Sequence, residues 1–309
     1  MILRLAWGLS LFFGSLGLGW WLSRRGVLTE LRAARLVRFL VIACSPVTLC
    51  LSLWSMELRR LEPWLLPGLG LLISCSTLIP AYAYARRTKL SDPQTGAFLT
   101  CALFSNLGYL GAFTAFALFG EAGYALCMLY LVFFTPCFYT LGFAIAARYG
   151  HAKSPQGLGA AFNDALRVYP FLGMVLGATL SLMRIPRPAP LDGLNHALIP
   201  FNTALYLIAI GSHVSVRSPR PWLPACWAMS GIKFLSTPLI AWGLIQLFHI
   251  EGLPRQIILL EAATPVAVSP LVLPLLFGLD RDLANALWLF TTVLSLPVLL
   301  ALLPWLPRL

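Results

Sequence analysis

The sequence predicts an all-α polytopic membrane protein with about ten transmembrane helices. Hydrophobic residues occupy 59% of the 309 positions and charged residues only 11%, with a mean hydropathy of +0.82. Soluble domains carry about 25% charged residues, so the composition excludes an ordinary soluble fold. Apolar runs of about 20 residues, the length that crosses a bilayer, recur along the whole chain. The predicted spans are 4–22, 36–56, 64–85, 96–119, 123–147, 168–184, 194–214, 222–248, 255–277 and 283–306.

Loop charges predict the orientation. The first span is followed by Ser23-Arg24-Arg25 and no small-residue cleavage site, so we interpret it as an uncleaved helix. Basic residues concentrate in alternate loops, which the positive-inside bias places in the cytoplasm, with both termini outside. The net charge of +11 thus reflects membrane orientation, and we expect no nucleic-acid partner. The expected location is the bacterial cytoplasmic (inner) membrane. The first loop carries Arg24, Arg25, Arg32, Arg35 and Arg38.

Several kinds of site are excluded by their missing patterns. The seven cysteines lie in or beside apolar runs without a C-x-x-C pair, which argues against a metal or disulfide framework. The sequence has neither the H-E-x-x-H pattern of zinc proteases nor the G-x-S-x-G elbow of acyl hydrolases. An intramembrane enzyme is therefore only a remote alternative.

Small residues spaced four apart predict places where helices pack closely. Such residues let two helix backbones approach each other in a membrane. The pairs are Ser10/Gly14, Ser15/Gly19 and Gly173/Gly177. They indicate packing rather than any particular function.

The ninth span carries polar residues and prolines that a lipid-facing helix does not need. Proline removes an amide donor and clashes with the preceding turn, so three prolines predict a broken helix. Broken backbone at membrane depth is tolerated only where protein or a water-filled cavity satisfies it. An ionisable residue there indicates a functional site. The residues concerned are Glu261, Thr264, Pro265, Ser269, Pro270 and Pro274.

The fourth span resembles the ninth. Aligning Phe119-Gly120 with Phe277-Gly278 places Asn106 opposite Thr264. Five spans in each copy make the two copies inverted, the first in residues 1–150 and the second in 151–309. Interrupted segments at corresponding positions of inverted repeats indicate the binding site of a transporter. We expect the fourth span to break at Asn106 and its neighbouring glycines.

Short motifs in several spans resemble the auxin efflux carrier family of permeases, which includes bacterial malonate-type carriers. The resemblance implies ten helices in two inverted five-helix repeats, with helices 4 and 9 crossing at their broken centres. It also implies core helices 3–5 and 8–10 that move against scaffold helices 1, 2, 6 and 7, and small organic anions as substrates. The motifs are Ser105-Asn106-Leu-Gly108-Tyr-Leu-Gly111, Phe119-Gly120-Glu-Ala-Gly123, Tyr169-Pro170-Phe-Leu-Gly-Met-Val-Leu-Gly177, Ala209-Ile210-Gly211, Ala263-Thr-Pro265 and Phe277-Gly278-Leu-Asp280.

Two positions depart from the pattern of this family. Ala112 stands where the family usually has a proline, which weakens the expected break of the fourth span. The short 148–166 loop resembles the bacterial members and not the plant carriers, which argues against auxin as the substrate.

A more distant resemblance suggests a coupling ion. The bile acid–sodium symporter family places a Ser-Asn pair and a Glu around sodium, and Ser105, Asn106 and Glu261 are similar to these positions. Carboxylate, amide and hydroxyl oxygens suit a hard cation. A sodium-coupled symporter is therefore the alternative to an anion permease. Na⁺ or H⁺ is left open as the coupling ion, and no other cofactor is expected.

The candidate site residues have alternative roles. Asn106 could instead join two helices by a hydrogen bond, and Glu261 could pair with Lys233. The expected partners are a small organic anion and the lipid bilayer, and a homodimer through the scaffold helices is left open. The candidates for substrate binding are Asn106, Gly108, Gly111, Thr264, Pro265 and Lys233, and those for ion coupling are Ser105, Asn106, Glu261 and Thr264.

Overall fold

The computed structural model describes residues 2–59, 62–151, 168–212 and 219–302. Within these ranges the regular structure is helical, apart from one isolated antiparallel bridge, as the sequence predicts. Six helices of this part of the chain are long and apolar enough to cross a membrane, and Tyr169–Leu182 is a shorter apolar helix. The six are Glu30–Trp54, Pro63–Arg87, Leu107–Tyr149, Pro190–Gly211, Arg220–Leu247 and Arg281–Leu302.

The α-helices are numbered in chain order. Those of the first half are α1 (Ile2–Arg24), α2 (Glu30–Phe39), α3 (Ser45–Trp54), α4 (Glu62–Ser76), α5 (Leu78–Arg87), α6 (Asp92–Leu103), α7 (Ala112–Tyr130), α8 (Phe134–Cys137) and α9 (Phe143–Tyr149). Those of the second half are α10 (Val168–Leu182), α11 (Pro190–Gly211), α12 (Leu223–Gly231), α13 (Thr237–Leu247), α14 (Gly252–Ala262), α15 (Val272–Phe277) and α16 (Arg281–Leu302).

The number of long helices is smaller than the number of predicted spans, partly because two spans are broken. The fourth predicted span contains α6, with 12 residues, and the ninth contains α14, with 11 residues. Each is too short to cross a bilayer alone. Conversely, Leu107–Tyr149 joins parts of two predicted spans, interrupted at Gly120, whose φ of 69° and ψ of −155° are not helical. The count of ten helices and their inverted repetition stay predictions.

Prolines explain two of the irregular turns within the helices. A π-helical turn at Leu40–Cys44 precedes Pro46, and another at Ile232–Ser236 precedes Pro238. A proline ring clashes with the carbonyl four residues earlier, and a wider turn relieves that clash. The second of these turns contains Lys233, so this candidate site residue lies on locally widened backbone.

The chain forms two compact units, each assembled from segments of both halves. One comprises Met1–Trp64, Gly108–Leu129 and Phe162–Val214, and the other Leu65–Leu107, Tyr130–Ala161 and Ser215–Leu309, as far as these residues are described. The repeat boundary at residue 150 and the assignment of helices to a mobile core and a scaffold stay predictions.

The first unit is held together by close contacts between helix backbones. A Cβ atom at Gly173 or Gly177 would collide with the α3 backbone at Pro46 or Cys50. The close packing predicted from the Gly173/Gly177 pair is thus confirmed. Gly19 likewise packs against the backbone of Ile208, whereas no atom lies within 4 Å of a Cβ built at Gly14. Small residues at this spacing therefore mark a helix contact in some of the predicted places and not in others.

We predict that Gly177→Val destabilises the folded protein, whereas Gly14→Val does not. Valine at position 177 overlaps with the α3 backbone, which cannot move as a flexible side chain can. Overpacking of this kind costs about 1–3 kcal/mol or more. Heating each variant and then measuring the remaining folded protein by size-exclusion chromatography gives the melting temperature of each. Equal melting temperatures for the two variants would contradict the observed packing of α10 on α3.

The second unit contains the breaks that follow α6 and α14. Phe104, at the end of α6, packs against the rings of Phe134 and Phe138, with ring centroids 5.2 and 5.3 Å apart. A Cβ atom at Gly96 would lie 2.8 Å from the Tyr149 side chain, so α6 also packs tightly against α9. The contacts of Phe104 hold the carboxyl end of α6, and the contact of Gly96 holds its first half.

Candidate functional site

The first break lies between α6 and a π-helical turn. The α-helix ends at Leu103, and Phe104 is extended, with φ −106° and ψ 118°. Helical structure resumes in the turn Leu107–Gly111. The expected break next to Asn106 is confirmed, but it precedes the glycines: Gly108 and Gly111 lie inside the π-helical turn.

The second break follows α14, as the prolines predict. The helix ends at Ala262, and residues 263–268 are irregular until a 3₁₀ turn begins at Ser269. Pro265 has no amide hydrogen to donate to the Glu261 carbonyl. The Thr264 hydroxyl donates to this carbonyl instead, at 2.7 Å. Thr264 therefore satisfies a carbonyl at the end of its own helix.

The two breaks pair with each other. The Asn106 amide donates to the Pro265 carbonyl at 2.8 Å, and the Ala267 amide donates to the Phe104 carbonyl at 3.0 Å. The two segments are antiparallel and bond as two short strands do. Backbone groups that the breaks remove from helices are thereby satisfied, as the membrane interior requires. The residues opposite each other in the bridge are Ser105 and Val266.

A threonine of α16 accepts a hydrogen bond from the second break. The Thr291 hydroxyl accepts a hydrogen bond from the Val266 amide at 3.2 Å and donates to the Leu287 carbonyl at 2.8 Å. Thr291 is fully buried. It is not among the residues predicted from the sequence. The adjacent polar pair Thr291-Thr292 in an apolar span was the available signal.

Lys233 binds the open end of α6. In a continuous helix the Asn106 amide would donate to the Ala102 carbonyl, but here it donates across the crossing. The Lys233 ammonium donates to the freed Ala102 carbonyl at 2.6 Å and to the Ser105 hydroxyl at 2.8 Å. The carboxyl end of a helix carries partial negative charge, which stabilises a cation there. Lys233 therefore contacts the first broken helix.

Thr77 donates a further hydrogen bond to the Ala102 carbonyl. Its hydroxyl donates to that oxygen at 2.8 Å, and its side chain is buried. Thr77 lies where α4 ends at Ser76 and α5 begins at Leu78. The sequence analysis did not single it out, although the run Ser74-Cys-Ser-Thr77 is unusually polar for an apolar span.

Burial and charge set the site apart from the rest of the second unit. Lys233 and Glu261 are both 0% exposed, so each break has an ionisable residue away from water. Burying a charge costs several kcal/mol unless it is compensated, so such residues mark functional sites in membranes. Gly108 and Gly111 follow Asn106 along the chain but belong to the first unit. The predicted residues in the second unit are Ser105, Asn106, Lys233, Glu261, Thr264 and Pro265, all of them buried.

Comparison with known proteins identifies the family. The sequence profile of the family described as membrane transport protein, to which the auxin efflux carriers belong, matches residues 11–156 and 160–303. The chain belongs to the auxin efflux carrier family. The expected resemblance is thereby confirmed over nearly the whole chain, and members of this family are integral membrane proteins that act as transporters.

Two archaeal relatives in this family match the chain along most of its length. An uncharacterized transporter of Methanothermobacter thermautotrophicus is 27% identical over 283 residues, which are 90% of this chain and 91% of the relative. An uncharacterized transporter of Methanocaldococcus jannaschii is 27% identical over 289 residues, which are 89% of this chain and 90% of the relative. The residues matched by the family profile include both breaks.

Proposed function

We propose that this protein is a secondary transporter that moves a small organic anion, such as a carboxylate, by alternating access. The substrate binds where the two broken spans, the fourth and the ninth of the predicted spans, pair beyond the ends of α6 and α14. The observation that carries the proposal is the hydrogen-bonded pairing of the two breaks, residues 104–106 and 265–267. Two continuous helices would offer a solute only side chains, whereas paired breaks also offer helix ends and irregular backbone.

Charge at the crossing favours an anionic substrate. The helical segments that start at Leu107 and Ser269 begin beside the breaks, and the amino-terminal ends of helices attract anions. Lys233 places an amino group at the first break, which attracts an anion when it is protonated. In this proposal Asn106 and Thr264 contribute polar groups, and Pro265 shapes the backbone around the anion.

The proposed location is the cytoplasmic membrane, with both termini outside. The basic residues in alternate loops support this orientation through the positive-inside bias. Among them, Arg24, Arg25, Arg86 and Arg87 are exposed at helix ends. We assign no enzymatic reaction to the protein.

Sodium coupling through Ser105, Asn106 and Glu261 is the competing proposal. These side chains supply oxygen atoms of the type that hard cations prefer. The Ser105 hydroxyl, however, already accepts a hydrogen bond from the Lys233 ammonium. This contact favours the anion permease over the sodium symporter.

Counterflow in proteoliposomes tests the proposed function. Vesicles loaded with an unlabelled mono- or dicarboxylate are diluted into the same compound carrying a label, over a panel of two- to six-carbon acids. The expected result is transient accumulation of label with at least one acid and none in protein-free vesicles. We expect the Asn106→Ala variant to insert into the membrane in normal amounts and to lose this accumulation. Equal accumulation with and without protein for every acid of the panel would overturn the proposal.

A further inference from the structure

The first break creates a small cluster of oxygen atoms that is suited to a single positive charge. The Ala102 carbonyl has lost its helical donor, and the Ser105 hydroxyl lies beside it on non-helical backbone. Both atoms lie at the carboxyl end of α6, where the helix dipole contributes further negative potential. Carbonyl and hydroxyl oxygens in such a place are ligands for an alkali cation as well as acceptors for an ammonium group.

The Lys233 ammonium occupies this cluster. Its nitrogen lies 2.6 Å from the Ala102 oxygen and 2.8 Å from the Ser105 oxygen, and the side chain is 0% exposed. The residue is anchored in the π-helical turn Ile232–Ser236, whose Thr237 neighbour donates its hydroxyl to the Ile232 carbonyl at 2.6 Å. The ammonium is therefore held by its own backbone, and it cannot leave the site as a free ion can.

A second cation at the same oxygens is excluded by charge. Two unit charges separated by about one ligand distance repel strongly inside a protein, where the effective dielectric constant is about 20 or lower. A sodium ion bound to Ser105 would also compete with Lys233 for the same hydroxyl lone pairs. The site therefore accommodates either the ammonium or an alkali cation.

We propose that the Lys233 ammonium is a tethered cation that stands in for a coupling alkali ion at the first break. The protein then carries its substrate without sodium, and removal of the ammonium opens a site for an alkali cation at Ala102 and Ser105. This inference rests on the proposed function because it treats the crossing as the transport site. The site itself can be detected by cation binding, without any substrate.

Thermal unfolding of the purified full-length protein tests the proposal. Melting temperatures are compared in about 150 mM LiCl, NaCl, KCl and N-methyl-D-glucamine chloride, so that ionic strength is constant. The wild type should melt at the same temperature in all four salts. Lys233→Ala should melt at least about 3 °C higher in the salt of one alkali cation than in N-methyl-D-glucamine chloride, because a ligand that binds the folded state stabilises it.

Two controls locate the effect. Lys233→Ala combined with Ser105→Ala should lose the cation response, because the hydroxyl ligand is gone. Lys89→Ala, which removes an exposed lysine, should behave as the wild type does. Selective stabilisation of the wild type by an alkali cation would overturn the proposal, and this arm needs no variant to fold. A Lys233→Ala protein that melts identically in all four salts would also overturn it. Because no substrate is present, either outcome is distinct from a failed counterflow experiment.

Discussion

Replacing Glu261 by glutamine is expected to reduce substrate exchange about 100-fold, which corresponds to about 2.7 kcal/mol. Glu261 is 0% exposed at the end of α14, beside the second break. A carboxylate is costly to bury at membrane depth, so an inert helix would have an apolar residue there. Glutamine keeps the shape of the side chain, cannot carry a negative charge or take up a proton, and has an NH2 donor in place of one acceptor oxygen. Exchange of a labelled carboxylate in proteoliposomes measures the effect.

Glu251→Gln is the matched control for this prediction. Glu251 precedes the first residue of the same helix and is exposed. The control should exchange substrate at the rate of the wild type, and both variants should reach the membrane in equal amounts. If Glu261→Gln transports as well as Glu251→Gln, Glu261 has only a structural role.

Replacing Ala267 by proline is expected to abolish exchange and to destabilise the protein by about 3 kcal/mol. Proline has no amide hydrogen, so the 3.0 Å bond to the Phe104 carbonyl is lost. That carbonyl is then left unsatisfied within the membrane, which adds to the cost. One of the two backbone bonds that join the breaks is thereby removed, and the crossing opens. Thermal unfolding and counterflow of the same preparation measure both consequences.

Ala267→Ser separates this effect from a change of side-chain size. Serine retains the amide and is nearly as small as alanine, so it should support exchange at about the rate of the wild type. Ala267 itself is buried, with 4% exposure. A proline variant that exchanges substrate as fast as the serine variant would show that the Ala267–Phe104 bond is dispensable.

The second break could be predicted from the sequence because its cause is local. Pro265 and Pro270 lack amide hydrogens, and a proline inside a helix removes a hydrogen bond and clashes with the carbonyl four residues earlier. The polar residues Glu261 and Thr264 then indicated that this break lies in a polar part of an otherwise apolar span. Structure and sequence agree here because Pro265, Pro270 and Pro274 fall within a short segment, whereas the single prolines Pro67, Pro200 and Pro297 stand inside continuous helices.

The position of the first break could not be predicted as closely. Glycines suggested a break around Gly108 and Gly111, whereas the helix stops at Leu103 and resumes at Leu107. The extended backbone between them is stabilised by hydrogen bonds to Pro265 and Ala267, which lie about half the chain away. No local pattern encodes these bonds, so sequence reasoning placed the break at Asn106 and the glycines but could not show that it ends before Gly108 and Gly111.

The partner of Lys233 could not be predicted from the sequence either. The sequence suggested Glu261 or the substrate as the partner, because opposite charges in apolar surroundings favour each other. The structure shows the ammonium on the Ala102 carbonyl and the Ser105 hydroxyl. A backbone carbonyl becomes an acceptor only when its helix breaks, so this contact depends on a break whose position was itself uncertain. Thr77 was missed for the same reason, since it bonds to that carbonyl.

Disulfide cross-linking of Ser105→Cys with Val266→Cys tests the crossing of the two broken helices most directly. These residues form the non-hydrogen-bonded pair of the bridge. The Cα atoms of such pairs are about 4.5 Å apart, which is within the range that a disulfide spans. The seven native cysteines are first replaced by alanine. After oxidation, the unfolded protein should resist labelling with polyethylene-glycol maleimide, whereas Ser105→Cys with Val268→Cys should label fully. Full labelling of both thiols in the 105–266 pair would contradict the crossing.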